Sequence, residues 1–175
     1  KPIPGAQIRI EAPDGSPCAP GETGEIVARG PGQMVGYYKA APELNARALR
    51  NGWYHTGDIG RLDEEGYLYV SGRKDDMIIS GGENIYPKEI MDVIMELTDD
   101  VAEAAVYGVP DDDWGERVKA SVVLLPGSTL TTEKLREYCK SCMPRYKVPK
   151  EIEFLEELPK NSTGKVVIQA LKDRS

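Results

Sequence analysis

Three stretches decide the reading: Trp53-Tyr-His-Thr-Gly-Asp58, Gly72-Arg-Lys-Asp-Asp76 and Ser80-Gly-Gly-Glu-Asn-Ile-Tyr-Pro87. A fourth, Leu158-Pro-Lys-Asn-Ser-Thr-Gly-Lys165, stands near the end. The first joins a β-like run, Trp53–Thr56, to a carboxylate preceded by glycine. Tyr67–Ser71 is a second such run, reached through the turn Asp63-Glu-Glu-Gly66. Upstream, Gln7–Glu11 and Glu25–Arg29 are strand-like about the turn Gly21-Glu-Thr-Gly24, and Pro42–Leu49 predicts a short helix. Residues 1–72 therefore predict a small antiparallel β barrel or sheet.

After Gly72 the texture changes. Met77–Ser80 predicts a short strand, and Pro87 suits a first helical position. Ile90, Val93, Ile94 and Leu97 then recur at helical spacing. Val101–Val109 and Val118–Leu125 are strand-like. Thr131–Met143 predicts an amphipathic helix with Leu135, Tyr138, Cys139 and Cys142 inward and Thr131 or Thr132 as its cap. Glu151–Leu155 predicts another strand, and Val166–Lys172 a last short helix. Helices on a small sheet make a compact α+β unit, with the boundary between the two parts at Arg73–Asp76.

The bulk composition narrows the function classes. The chain has 175 residues, 40% hydrophobic and 29% charged, with a net charge of −7. That balance is poorly suited to a nucleic-acid surface, which needs clustered Lys and Arg. No apolar run approaches the roughly 20 residues of a membrane span. No leader is visible, which makes a cytoplasmic location the expectation. The opening Lys1-Pro-Ile-Pro-Gly5 reads as a piece of a longer protein. Cys139 and Cys142 form a Cys-x-x-Cys pair. It closes a helix, has no second pair, and lies far in sequence from the single histidine, His55, so a structural role is favoured over zinc or redox chemistry.

Each motif admits a chemical and a plain structural reading. Asp58 after Gly57 suits the paired hydroxyls of a ribose, with Arg73 as a donor to the same sugar; an ordinary Asp turn is the alternative. Gly81 and Gly82, in Ser80–Asn84, suit a simple turn with positive φ, or a phosphate-cradling loop that lacks the Lys-Ser/Thr of a P-loop. Asn161–Lys165 is not a phosphate-binding P-loop, since Pro159 stands where that motif needs its first glycine. Asp111-Asp-Asp113 reads as a solvated turn.

Taken together in this order, the four motifs resemble the adenylate-forming superfamily of acyl- and aryl-CoA synthetases, peptide-synthetase adenylation domains and luciferases. The sequence Gly81-Gly-Glu-Asn-Ile-Tyr-Pro87 is most similar to the CoA ligases. The resemblance covers the whole chain but only the last third or so of such an enzyme. It implies that residues 1–72 end a large N-terminal adenylation domain, that 73–76 form a hinge with Asp75 as pivot, and that 77–175 form a C-terminal lid with a small sheet and about three helices. It implies ATP, Mg2+ and CoA as reactants beside a small carboxylic acid, with the Mg2+ ligands in a preceding domain, which would be the chain's principal partner.

By the same resemblance Asp58 and Arg73 bind the nucleotide ribose, Gly81 and Gly82 line a tunnel for the pantetheine arm, and Lys165 is the catalytic lysine of adenylation. Trp114 and Tyr146 are candidates to stack on the adenine of CoA, with Arg145 or Lys147 meeting its phosphates. Packing between sheet and loops is the alternative for both aromatics. The sequence departs from the family at Glu83, where some relatives carry a phosphate-binding Arg, and at Ile168, where an Arg is usual. The 175 residues alone are expected to lack ligase activity. A carrier-loading adenylation domain and a non-catalytic adenine-nucleotide-binding module are the rival readings.

Overall fold

The computed structural model describes residues 1–174, which divide into two compact units between Asp75 and Asp76. The fold is α+β, with four α-helices and two five-stranded sheets.

The first unit contains strands β1 (Gln7–Glu11), β2 (Gly24–Arg29), β3 (Leu49–Arg50), β4 (Trp53–Leu62) and β5 (Leu68–Arg73), with helix α1 (Pro42–Ala48) before β3. All pairings are antiparallel. β4 is the organiser: β2 pairs along one edge, while β3 and β5 share the other in succession. β4 runs well past the expected Thr56, because pairing with β2 and β5 carries it through Gly57, Asp58 and Gly60, residues of poor strand propensity. A side chain at Gly60 would meet the Tyr69 carbonyl oxygen at 2.3 Å, so that close strand approach requires glycine.

The interior of this unit mixes Ile10, Ile26, Val27, Trp53 and Ile59 with buried His55 and Glu11. Arg50 donates from Nε to His55 Nε2 at 3.0 Å. Glu25 Oε1 lies 3.6 Å from His55 Nδ1. Burying polar groups requires such partners. His55 is thus a structural residue of the sheet interior, remote in sequence from both Cys139 and Cys142.

The second unit contains β6 (Ile78–Ser80), β7 (Glu83–Ile85), α2 (Pro87–Met95), β8 (Val101–Asp111), β9 (Gly115–Leu124), α3 (Thr132–Cys142), β10 (Glu151–Leu155) and α4 (Ile168–Lys172). β8 and β9 form a long antiparallel hairpin, and β10 joins β9 in parallel. Alternate residues of β8 serve two cores, as the period of two in a strand demands. Ala104 and Val106 face one built with Ile90 and Ile94 of α2 and Leu135 and Cys139 of α3. Ala105, Tyr107 and Val109 face a smaller one with Leu158 and Leu171. Thr131 caps α3, its hydroxyl accepting from the Lys134 amide at 3.3 Å. One expectation fails here: Cys142 is exposed. The helix ends at that residue, and Met143, just beyond it, packs against the core in its place.

Candidate functional site

In the first unit, Asp58 and Arg73 stand directly opposite each other in the β4–β5 ladder. Arg73 NH1 lies 3.5 Å from Asp58 Oδ1, and both side chains remain substantially open to solvent. The backbone beneath them is fixed. The Thr56 hydroxyl donates to the Ile26 carbonyl at 2.8 Å and accepts from the Asp58 amide at 3.0 Å. Gly57 has φ +74°, and a side chain there would sit 3.3 Å from Arg73 NH2. Glycine therefore leaves room for the guanidinium beside the carboxylate. An exposed carboxylate with a forked donor alongside is suited to a diol, because it accepts two hydroxyl hydrogen bonds while the guanidinium donates. Tyr54, two positions before Thr56 on the same strand, shares a 3.2 Å hydroxyl contact with Tyr37. That hydrogen bond and burial raise the Tyr54 pKa, with the nearby Asp58 charge adding to the rise.

Asp75 is the last residue of this unit and the middle of a single 3-10 turn, Lys74–Asp76. Its side chain is exposed, as is that of Asp76. The preceding Lys74 lies 3.4 Å from Glu25.

In the second unit, Gly81 and Gly82 form the two-residue turn of the β6–β7 hairpin, with φ of +60° and +84°. Both positions need positive φ, as in the type I′ turns that favour glycine. The two glycines differ beyond that. A side chain on Gly82 would meet nothing within 4 Å, whereas one on Gly81 would strike the Trp114 ring at 2.5 Å. The Gly81 amide also donates to the Trp114 carbonyl at 2.9 Å. Trp114 is half-exposed, and the turn before it is tied by Asp111 Oδ1, which accepts from the amides of Asp113 and Trp114 at 3.1 Å each.

Over the Trp114 ring, at 4.4 Å from its centroid, lies the ammonium of Lys150. This cation carries no signal in the sequence, where it is one exposed lysine after Pro149. Arg145, Tyr146 and Lys147 form a short 3-10 turn, with Tyr146 exposed. Lys147 is committed to an ion pair with Glu89. Lys150, beside an exposed aromatic face, is thus the better-placed cation for an anion near Trp114.

Lys165 is exposed on a loop closed by a bridge between Lys160 and Val166. Among the described residues, no group of three or more His, Cys, Asp or Glu side chains could hold a metal ion. No helix among the described residues is long and apolar enough to cross a membrane.

Residues 89–165 match the AMP-binding enzyme C-terminal domain. Those residues carry the C-terminal domain of AMP-binding enzymes. A 2-succinylbenzoate–CoA ligase of Geobacillus sp. (strain WCH70) is 45% identical over 172 residues, 98% of this chain and 34% of that protein. An indoleacetate–CoA ligase of Aromatoleum aromaticum is 48% identical over 163 residues, 93% of this chain and 32% of that protein. Among solved structures, the o-succinylbenzoate CoA synthetase of Bacillus subtilis, in complex with its acyl-adenylate intermediate, is 42% identical with a TM-score of 0.90, covering 99% of this chain and 35% of that one. The chain therefore spans about a third of the length of the relatives it matches.

Proposed function

We propose that this chain is the C-terminal portion of an ATP-dependent carboxylate–CoA ligase. In the first half-reaction a carboxylate oxygen attacks the α-phosphorus of ATP, forming acyl-AMP and releasing pyrophosphate. In the second the thiol of CoA attacks the acyl carbon, the bond to AMP breaks, and the thioester forms. The observation that carries the reading is the Asp58–Arg73 pair, held opposite in register with both side chains open to solvent, in a chain whose relatives are CoA ligases.

Asp58 and Arg73 bind the ribose hydroxyls in this proposal. Lys165 places a positive charge where the carboxylate meets the phosphate, stabilising charge that develops in transfer. Gly81 and Gly82 border the path of the pantetheine arm, and Trp114 with Lys150 receives the CoA nucleotide. Asp75 is the pivot between the two half-reactions, since a hinge is a few loop residues that absorb a large change in φ and ψ. Mg2+ accompanies ATP and takes its ligands outside the described residues. A cytoplasmic location accords with three free cysteines.

The test is a pyrophosphate-release screen of the parent protein with ATP, Mg2+, CoA and a panel of aliphatic and aromatic acids, with thioester measured in parallel. Pyrophosphate release without transfer to CoA would point to a carrier-protein acceptor. AMP binding with no pyrophosphate from any acid would leave a nucleotide-binding module and sink the ligase reading. In an active parent, Asp75→Pro fixes φ near about −65° and is expected to impair one half-reaction while sparing the other. Full turnover by that variant would remove Asp75 as the pivot.

A further inference from the structure

We propose that Asn161 is the positioning residue for Lys165: its carboxamide oxygen is the template on which the lysine-bearing loop is built. Four residues apart in sequence, the two are joined from both ends. Asn161 Oδ1 accepts from the Thr163 amide at 3.0 Å, the Thr163 hydroxyl at 2.8 Å and the Lys165 amide at 3.0 Å. The Asn161 amide donates to the Lys165 carbonyl at 2.9 Å, and its own carbonyl accepts from Gly164 at 3.0 Å. Gly164 turns the chain with φ +80°. All of these bonds lie within the short run from Asn161 to Lys165.

The stem below is equally fixed. Lys160 and Val166 bridge, the Val167 amide donates to the Pro159 carbonyl at 2.8 Å, and Leu158 is buried in the smaller core. Lys160 is itself paired with Glu103 at 2.7 Å. The backbone of Lys165 is thus a rigid mount, and only its side chain is free to sweep. Asparagine suits the position because one short side chain offers an acceptor to backbone donors two and four residues on, as in Asx turns. Serine or alanine would shorten or remove that acceptor.

The inference rests on the proposed role of Lys165 in adenylation, and its test separates the two. In the parent protein, Asn161→Leu keeps the branched skeleton but removes the acceptor, and Asn161→Asp restores an Oδ acceptor. Misplacing a reacting group by about 1 Å costs up to about a hundredfold in rate. Asn161→Leu is expected to lower kcat for pyrophosphate release by about tenfold to a hundredfold, with KM for ATP little changed. Thioester formation from supplied acyl-adenylate should persist, and Asn161→Asp should recover most of the loss. Pyrophosphate release at the unsubstituted rate in Asn161→Leu, or an equal loss in both half-reactions, overturns the proposal.

Amide hydrogen exchange at Thr163 and Lys165 supplies the arm that does not depend on catalysis. Protection is expected in the unsubstituted protein and in Asn161→Asp, and lost in Asn161→Leu. Unprotected amides in the unsubstituted protein overturn the proposed mount whatever the parent's activity. A parent that protects these amides but forms no pyrophosphate would instead count against the ligase reading alone.

Discussion

The two units hold their candidate functional residues in opposite ways. Asp58 and Arg73 sit on paired strands, opposite each other in register, with glycine at position 57 making room for the guanidinium. Lys165 sits on a short loop tied by its own backbone and by one side chain, Asn161, which accepts from the Lys165 amide. The interiors differ too. The first unit buries His55 and Glu11 among its apolar residues, whereas the second buries Ser80, Lys119 and Ser121 beside two cores, one on each face of β8, the smaller of which includes Tyr107. A strand-built pair is protected from local change by the whole sheet, while a loop-built lysine depends on a few hydrogen bonds. Loop-borne chemistry is therefore the more easily broken without unfolding the protein.

Lys165→Ala gives the largest expected effect and tests the loop side of the contrast. Pyrophosphate release in the parent enzyme should fall by about two to three orders of magnitude, by analogy with loss of one electrostatic contact worth about 2.7–4 kcal/mol. Transfer from supplied acyl-adenylate should survive, and thermal stability should not move. A rate near that of the unsubstituted enzyme would exclude Lys165 as the catalytic lysine.

The contrast between interiors sharpens at high pH. Burial pushes the Cys139 thiol up to about 11, against an ordinary value of 9.0. Between those values the unfolded chain has released a proton that the folded chain still holds. Stability therefore falls as pH rises from about 9 to about 11, by roughly 3 kcal/mol in all, and is unaffected below. Cys139→Ala should lower stability through the cavity it leaves but lose this component of the pH slope. Parallel curves for the two proteins in denaturant titrations across that range would show that the thiol is not the responsible group.

On the strand side, Asp58→Asn should weaken AMP binding by about tenfold to a hundredfold, since hydrogen bonds to a charged group contribute about 1.5–3 kcal/mol. Calorimetric titration of the parent checks it, and unchanged affinity would leave Asp58 as an ordinary strand residue. The smallest effect belongs to Lys88, which pairs with Asp92 at 2.6 Å on the exposed face of α2. The lysine precedes its carboxylate and stands in the first turn, where the helix dipole opposes it. Lys88→Ala should shift stability by less than about 0.5 kcal/mol, read as a denaturation midpoint. A larger loss would mean that α2 depends on its surface and not on Ile90 and Ile94.

Much of this was legible in the sequence for identifiable reasons. β1 and β10 match their expected bounds because short alternating runs are flanked by turn residues. α2 and α3 follow from a period of 3.6 with proline or threonine at the start. β7 was not legible: Glu83–Ile85 is too short for a pattern, and only pairing with β6 makes it a strand. The far half of β4 was hidden likewise, since local propensity argues against it and the neighbouring strands impose it. Asp58, Arg73 and Lys165 were legible as motif residues. Lys150 was not, because nothing local shows that its ammonium reaches the Trp114 ring. The support of Lys165 by Asn161 was within reach, since asparagine near a turn glycine is a capping signal.

The protein has two tryptophans, and each unit holds one. Trp53 is buried between the guanidiniums of Arg9 and Arg29, each 4.4 Å from its ring. Trp114 is half open to water beneath Lys150. Each unit therefore carries its own intrinsic fluorophore. A soluble anionic quencher such as iodide will reach the indole under the lysine and leave the other dark to it. Emission from Trp114 alone, isolated by Trp53→Phe, gives an optical readout of whatever comes to rest on that ring.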